Sequence, residues 1–496
     1  MIRICLAIVV NCFSLFFISS LRIQRPDPAQ SLRDENVFLQ GSDAKSSLPL
    51  IDGATAANAL DVFETALNER WSYRHANDAD FVNAIASLRK RIASGIPGDE
   101  FGIELQKIIA LGIDGHSGVS GYRLPSGGCL PFLIEPTGNR FVAFDAKRTN
   151  FLADGFPFIT KIDGKNLDDW IAAASILVSK GSPQYIRQRS LRLLSDIDYW
   201  RGVMNVRRRD TIDVELTDNQ GKARKMITLP VVKSPPTYGV WPSGGSRLLD
   251  NNIGYLRLTT MRVATSVAEI KQWMPRFRDT DGLIVDVRDN NGGDRDALLL
   301  LYSYLAVEDD PPRIFNVAAY RLNNAHKPNH LAENHHMYVA GAVEWTLTQR
   351  SAVAKFAKTF KPLWKLPAGQ FSDWHYMALT RLKDSDVYHY NRPVIVLLNG
   401  KSFSATDIFL AGMKGMKNVL LLGTPSSGGS AFTQEIALGS TPLKLRIGSI
   451  VSFQADGKLF DGNGVLPDVL VESMPEYYIG GRDKVLQEAV KRIKKR

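Results

Sequence analysis

Ser404 lies in the octapeptide Asn399-Gly400-Lys401-Ser402-Phe403-Ser404-Ala405-Thr406, between the apolar run Pro393 to Leu398 and a helical pattern carrying Ile408, Phe409, Leu410, Ala411 and Met413. A buried strand that breaks at a glycine and re-enters as a helix presents its turn at a helix N-terminus, where unpaired N–H groups favour developing negative charge. Ser404 is thereby placed as a nucleophile and the Ala405 amide as an oxyanion donor. With Asp407 three residues on, the same letters also spell a capping box, so the reading depends on partners elsewhere in the chain.

A serine hydroxyl needs a base, and imidazole serves near neutral pH. His116, in the turn Gly112-Ile113-Asp114-Gly115-His116-Ser117 after a helical segment, is the best placed of the eight histidines. His326, His330, His335 and His336 crowd together, but Pro328 interrupts them and no cysteine joins them, so a solvated loop is expected there and no metal. Lys401 is the fallback base. Gly292-Gly293 follows the buried strand Gly282 to Val287 and fits no phosphate loop; its amides can line an oxyanion hole instead. Asp461, in Phe460-Asp461-Gly462-Asn463-Gly464-Val465, is by its local letters a turn aspartate.

Four strings, IDGHS, LIVDVRDNNGG, SFSATDIFLAG with the later LLLGTPSSGG, and DGNGVLPDVLV, occur in the order that resembles the S41 peptidases, the family of C-terminal processing proteases and the tricorn core protease. The resemblance covers about residues 55 to 475. It implies an α/β crotonase-like catalytic domain, a PDZ-like domain before it, no cofactor, and serine peptidase activity outside the cytoplasm. The Ser/Lys branch carries a lysine where this chain has Gly428-Gly429-Ser430. The likeness therefore shifts to the branch with a histidine base, which implies Ser404 as nucleophile, His116 as general base and Asp461 as the orienting acid, a position usually held by glutamate.

The elements that must position these groups read in order. Residues 1–22 have the layout of a signal peptide or an uncleaved N-terminal anchor, and 23–52 read as a linker. A helical domain is expected over 53–116, a small mixed α/β, PDZ-like domain over 117–235, and an S41-type catalytic domain over 250–475. A cover insertion is expected at about 309–391 and a basic helix over 476–496. With 44% hydrophobic residues the chain builds cores rather than disorder, and its net charge of +10 is scattered, without a nucleic-acid footprint. Cys129 is the single cysteine outside the export segment, so no disulfide staples the exported chain. The expected partner is an extended or unfolded polypeptide, oligomeric state being left open. The alternative is a non-catalytic ligand- or peptide-binding protein on the same scaffold.

Overall fold

The computed structural model describes residues 47–495 apart from 126, 324–329, 383 and 385. The expected export segment and most of the expected linker lie outside the described residues. The linker's last residues differ from expectation: Leu50–Ile51 (β1) pairs antiparallel with Ile96–Pro97 (β2). No helix among the described residues is long and apolar enough to cross a membrane.

Helical periodicity from 53 to 111 produces Gly53–Glu69 (α1), Phe81–Arg91 (α2) and Gly98–Ile109 (α3). Asp52 caps α1 by accepting from the Thr55 amide, and Asp80 caps α2 through Asn83. The helices bury Phe63, Leu67, Phe81 and Phe101 together with Trp71 and Tyr73, which follow α1.

The next strand, Gly118–Ser120 (β3), departs from the expected domain boundary: it pairs with a strand more than 300 residues later, within the expected 250–475 domain. The small mixed domain begins after it. Its strands are Phe132–Thr137 (β4), Arg140–Asp145 (β5), Phe158–Ile162 (β6), Lys165–Asn166 (β7), Thr211–Thr217 (β8) and Arg224–Pro230 (β9), in the order β4-β5-β6-β8-β9 with β7 beside β6. Helices Leu167–Ala174 (α4), Pro183–Leu193 (α5) and Ile197–Val203 (α6) lie between β7 and β8.

The central sheet is built from Arg247–Leu249 (β10), Ile253–Arg257 (β11), Gly282–Asp286 (β12), Val394–Leu398 (β16), Val419–Gly423 (β17) and Val469–Leu470 (β21), in that spatial order. From β11 to β21 neighbouring strands are parallel. The two middle strands, β12 and β16, are buried throughout, as near-continuous apolar runs must be when both faces are covered. Val263–Trp273 (α7), Asp296–Leu305 (α8) and, after β16, Ala405–Met413 (α11) pack on one face, and the C-terminal Lys484–Ile493 (α12) buries Val485, Ala489 and Ile493 on the other.

The expected cover at 309–391 is only partly an insertion. Arg313–Tyr320 (β13), Tyr338–Val339 (β14) and His375–Leu379 (β15) join Ile450–Gln454 (β20) in a four-stranded sheet, so the segment's ends are core strands. Between them lie His330–His335 (α9) and Leu347–Thr359 (α10). Helix α10 seats Val353 and Phe356 on that sheet, against Tyr376. It covers this sheet, and the segment reaches toward the candidate site through Trp364, stacked on Tyr73 at 6.4 Å. A last antiparallel sheet, Thr433–Ala437 (β18), Lys444–Gly448 (β19) and β3, ties the turn after α3 to the C-terminal half of the chain.

Candidate active site

Ser404 stands between the buried strand β16 and helix α11 with φ of 62° and ψ of −124°. That is a conformation L-residues rarely adopt, costing about 1–3 kcal/mol, and it persists only where the surroundings over-determine it. Here the β12 exit loop supplies them. Ser402 Oγ donates to the Val287 carbonyl at 2.9 Å, the Phe403 amide to the Asn290 carbonyl at 3.0 Å, and Thr406 Oγ1 to Asn290 Oδ1 at 2.7 Å. The Ser404 side chain makes no helix-capping bond, so the capping-box alternative does not describe it. Its Oγ lies 3.0 Å from His116 Nε2.

His116 is carried into the site by the short turn between α3 and β3. Its ring stacks on Phe403, centroids 4.5 Å apart, and among the described residues its buried Nδ1 has no hydrogen-bond partner. Burial lowers its pKa to about 4; the Asp114 charge opposes that shift, while the Arg446 and Arg189 charges add to it. The imidazole is therefore held neutral, able to accept the Ser404 proton at Nε2.

Asp461 is fully buried but is not hydrogen-bonded to His116. Its carboxylate receives the Tyr73 hydroxyl at 2.7 Å, the Ser430 amide at 3.1 Å and the Gly115 amide at 3.3 Å. The expectation of a direct orienting bond is thus corrected: the shorter aspartate braces the turn before His116 through the Gly115 amide. Burial, then the Asp114 charge, raises its pKa to about 7.

Asp114 is the closer acid. Its Oδ1 is 3.9 Å from His116 Nδ1 and accepts the His116 amide at 2.9 Å, while its Oδ2 receives Trp71 Nε1 at 3.0 Å, the Gly448 amide at 3.1 Å and the Ser117 hydroxyl. Asp114, Trp71 and Tyr73 were not singled out by the sequence reading, although Asp114 sits inside the motif that marked His116. Asp114, His116 and Asp461 are also the one His/acid group among the described residues compact enough to hold a cation, their ligand atoms all within 4.8 Å of one another.

The oxyanion donors also need a correction. The Gly292 amide is already donated to Asn290 Oδ1 at 2.9 Å, so it is not available to a substrate oxygen. Gly292 serves by its lack of a side chain: at φ of 106°, a Cβ would lie 2.7 Å from the Ser404 Cβ. Gly293 and Ala405 keep their amides outside the hydrogen bonds found among the described residues. Asp407, three residues past Ser404, is buried and accepts from Ser426 Oγ at 2.5 Å and the Gly428 amide at 3.2 Å; burial pushes its pKa well up. It anchors the loop whose Gly429 lies so close that a Cβ there would come 3.0 Å from His116 Cε1. Any side chain at Gly429 would meet the Phe403 ring first, at 2.3 Å, and then the imidazole.

Lys401 points elsewhere. Its Nζ pairs with Glu135 Oε1 of β4 at 3.0 Å and with Asp289 of the β12 exit loop. Burial raises the Glu135 pKa, but the Lys401, Arg192 and Arg148 charges outweigh it and hold the carboxyl down at about 2.

Residues 252–471 match the family model of peptidase family S41. A carboxy-terminal-processing protease of Bartonella bacilliformis (strain ATCC 35685 / KC583 / Herrer 020/F12,63) is 33% identical over 90 residues, which span 18% of this chain and 20% of that relative's length. In three dimensions the chain is similar to mature CPAF, with a TM-score of 0.61 at 16% identity over 89% of this chain and 97% of that one. The structure of mature CPAF complexed with lactacystin gives a TM-score of 0.58 at 15% identity over 89% and 98% of the two chains. At such identities these likenesses show a shared fold.

Proposed function

Through residues 252–471 the chain belongs to peptidase family S41, and from that premise we propose that it is an exported serine endopeptidase cleaving extended or unfolded polypeptide by a Ser-His-acid mechanism. The observation that carries the reading is the 3.0 Å contact between Ser404 Oγ and His116 Nε2 at a strained strand-to-helix turn. His116 Nε2 takes the Ser404 proton as Oγ attacks the peptide carbonyl, then returns it to the leaving amine. The Gly293 and Ala405 amides receive the oxyanion at the N-terminus of α11. As the ring becomes imidazolium, the Asp114 and Asp461 side chains, both within 4.8 Å of it by their nearest ligand atoms, stabilise the charge that burial opposes. Residues 1–22 carry the export reading, and the PDZ-like role of the small mixed domain rests on the resemblance alone.

The test is digestion of an unfolded protein substrate by the chain lacking residues 1–22, beside Ser404→Ala and His116→Ala. The proposal expects cleavage by the first and near-complete loss in the other two. If nothing is cut and a fluorophosphonate fails to label Ser404, a binding protein on this scaffold replaces the peptidase reading.

A further inference from the structure

Trp71 follows the α1 C-cap Arg70, and from it the chain runs into the candidate site. Ser72 fastens this stretch: its amide donates to the Gly448 carbonyl at 3.0 Å, and its Oγ lies 2.9 Å from the carbonyl oxygens of both Gly448, at the end of β19, and Ile450, at the start of β20. The side chains on either side of it, Trp71 and Tyr73, are fully buried. Each reaches one of the two acids beside His116. Trp71 Nε1 donates to Asp114 Oδ2 at 3.0 Å, and the Tyr73 hydroxyl donates to Asp461 Oδ2 at 2.7 Å.

The other oxygen of each acid is committed alike. Asp114 Oδ1 accepts the His116 amide at 2.9 Å and is the oxygen 3.9 Å from His116 Nδ1, and Asp461 Oδ1 accepts the Gly115 amide at 3.3 Å. Each aromatic donor thus holds Oδ2 of an acid whose Oδ1 holds the turn that carries the base. The rings are themselves built in. A Cβ on Gly112, where that turn begins, would lie 2.2 Å from Trp71 Cη2, so glycine is what admits the indole. Trp364 stacks on the Tyr73 ring and restrains the phenol that grips Asp461.

We propose that Trp71 and Tyr73 are positioning residues for the His116 base, acting through Asp114 and Asp461 respectively, so that the segment leaving α1 is part of the catalytic apparatus. The inference rests on the peptidase reading. A buried carboxylate orients what it touches only while its own rotamer is fixed, and a donor on the opposite oxygen fixes it. Deleting the donor leaves the acid present but free to turn, which misplaces the imidazole against the Ser404 hydroxyl. Because both aromatics are fully buried, the loss falls on the chemical step rather than on binding. Among the described residues Tyr73 is one of two donors to Asp461 Oδ2, and Trp71 one of three to Asp114 Oδ2, so Tyr73 carries the larger share.

The experiment is a pair of double-mutant cycles on the full chain, read by saturation kinetics of fluorophosphonate labelling at Ser404, which separate the maximal rate from the half-saturating concentration. Tyr73→Phe removes the hydroxyl alone. It lowers the maximal rate about 3–10-fold, the scale of one hydrogen bond, with half-saturation unchanged, and Trp71→Phe lowers it less. In a chain already carrying Asp461→Asn, Tyr73→Phe has no further effect, and Trp71→Phe has none beside Asp114→Asn. Calorimetry reports folding; should Trp71→Phe fail to fold, the Tyr73 cycle decides alone. A parental maximal rate in Tyr73→Phe, a loss confined to half-saturation, or a loss undiminished beside Asp461→Asn overturns the positioning role. A Trp71→Phe loss undiminished beside Asp114→Asn removes the tryptophan from it. A parent chain that neither labels nor cleaves an unfolded protein removes the peptidase reading beneath it instead.

Discussion

Lys401 and His116 are two basic groups beside one serine turn, each next to two acids, and their surroundings separate them. The Lys401 ammonium is saturated by Glu135 and Asp289 and bridges the small mixed domain to the β12 exit loop. His116 has a neutral ring, its Nε2 on the serine hydroxyl and an Nδ1 without a hydrogen-bond partner among the described residues. A buried charge with satisfied partners holds structure together, whereas a buried polar atom left without one marks a group kept ready for a change of charge.

The largest effect expected from breaking this contrast is in Ser404→Ala and His116→Ala. Each lowers kcat/KM by about 10³-fold or more, with thermal stability near that of the parent, as read by peptide cleavage and calorimetry. Gly292→Ala comes next. Its Cβ would meet the Ser404 Cβ at 2.7 Å, and an activity loss of about 10²-fold is expected from displacing the nucleophile. Asp461→Asn and Asp114→Asn sharpen the assignment of the acid. A loss of about 10–100-fold in kcat is expected for each, and the larger loss identifies the carboxylate on which the imidazolium depends. Lys401→Met gives the smallest catalytic effect and the clearest structural one. A stability loss of about 1–3 kcal/mol in denaturant titration follows from leaving Glu135 short of one cation, softened because Arg192 and Arg148 remain beside it.

How much of this was written in the letters depended on the range of the interaction. The Ser404 turn was legible because its strand, glycine and helix signals are contiguous, whereas the roles expected of His116 and Asp461 came from the family resemblance that the motifs around them carry. Tyr73 was not legible, because its partner Asp461 is 388 residues away and nothing near Trp71 or Tyr73 distinguishes a site residue from core. The same blindness moved the domain boundary at 117. Three residues of β3 carry too little periodicity to announce a partner in β19. The cover was misjudged for a related reason, since β13 and β15 look like strands of an insertion until β20 claims them. The oxyanion assignment of Gly292 failed on a local detail, an asparagine side chain two residues earlier that takes the amide.

The central claim is that a neutral, buried imidazole is the base, and the pH dependence of fluorophosphonate labelling at Ser404 tests it without any substrate being known. His116 loses its proton-accepting form only below its lowered pKa, so as pH falls the wild-type labelling rate should hold through 6.5 and drop with a midpoint near 4, provided the fold is intact by calorimetry. His116→Ala should abolish labelling at every pH, and Lys401→Met should leave the profile in place. A rate that instead climbs through alkaline pH and survives His116→Ala but not Lys401→Met would assign the base to the lysine and contradict the account.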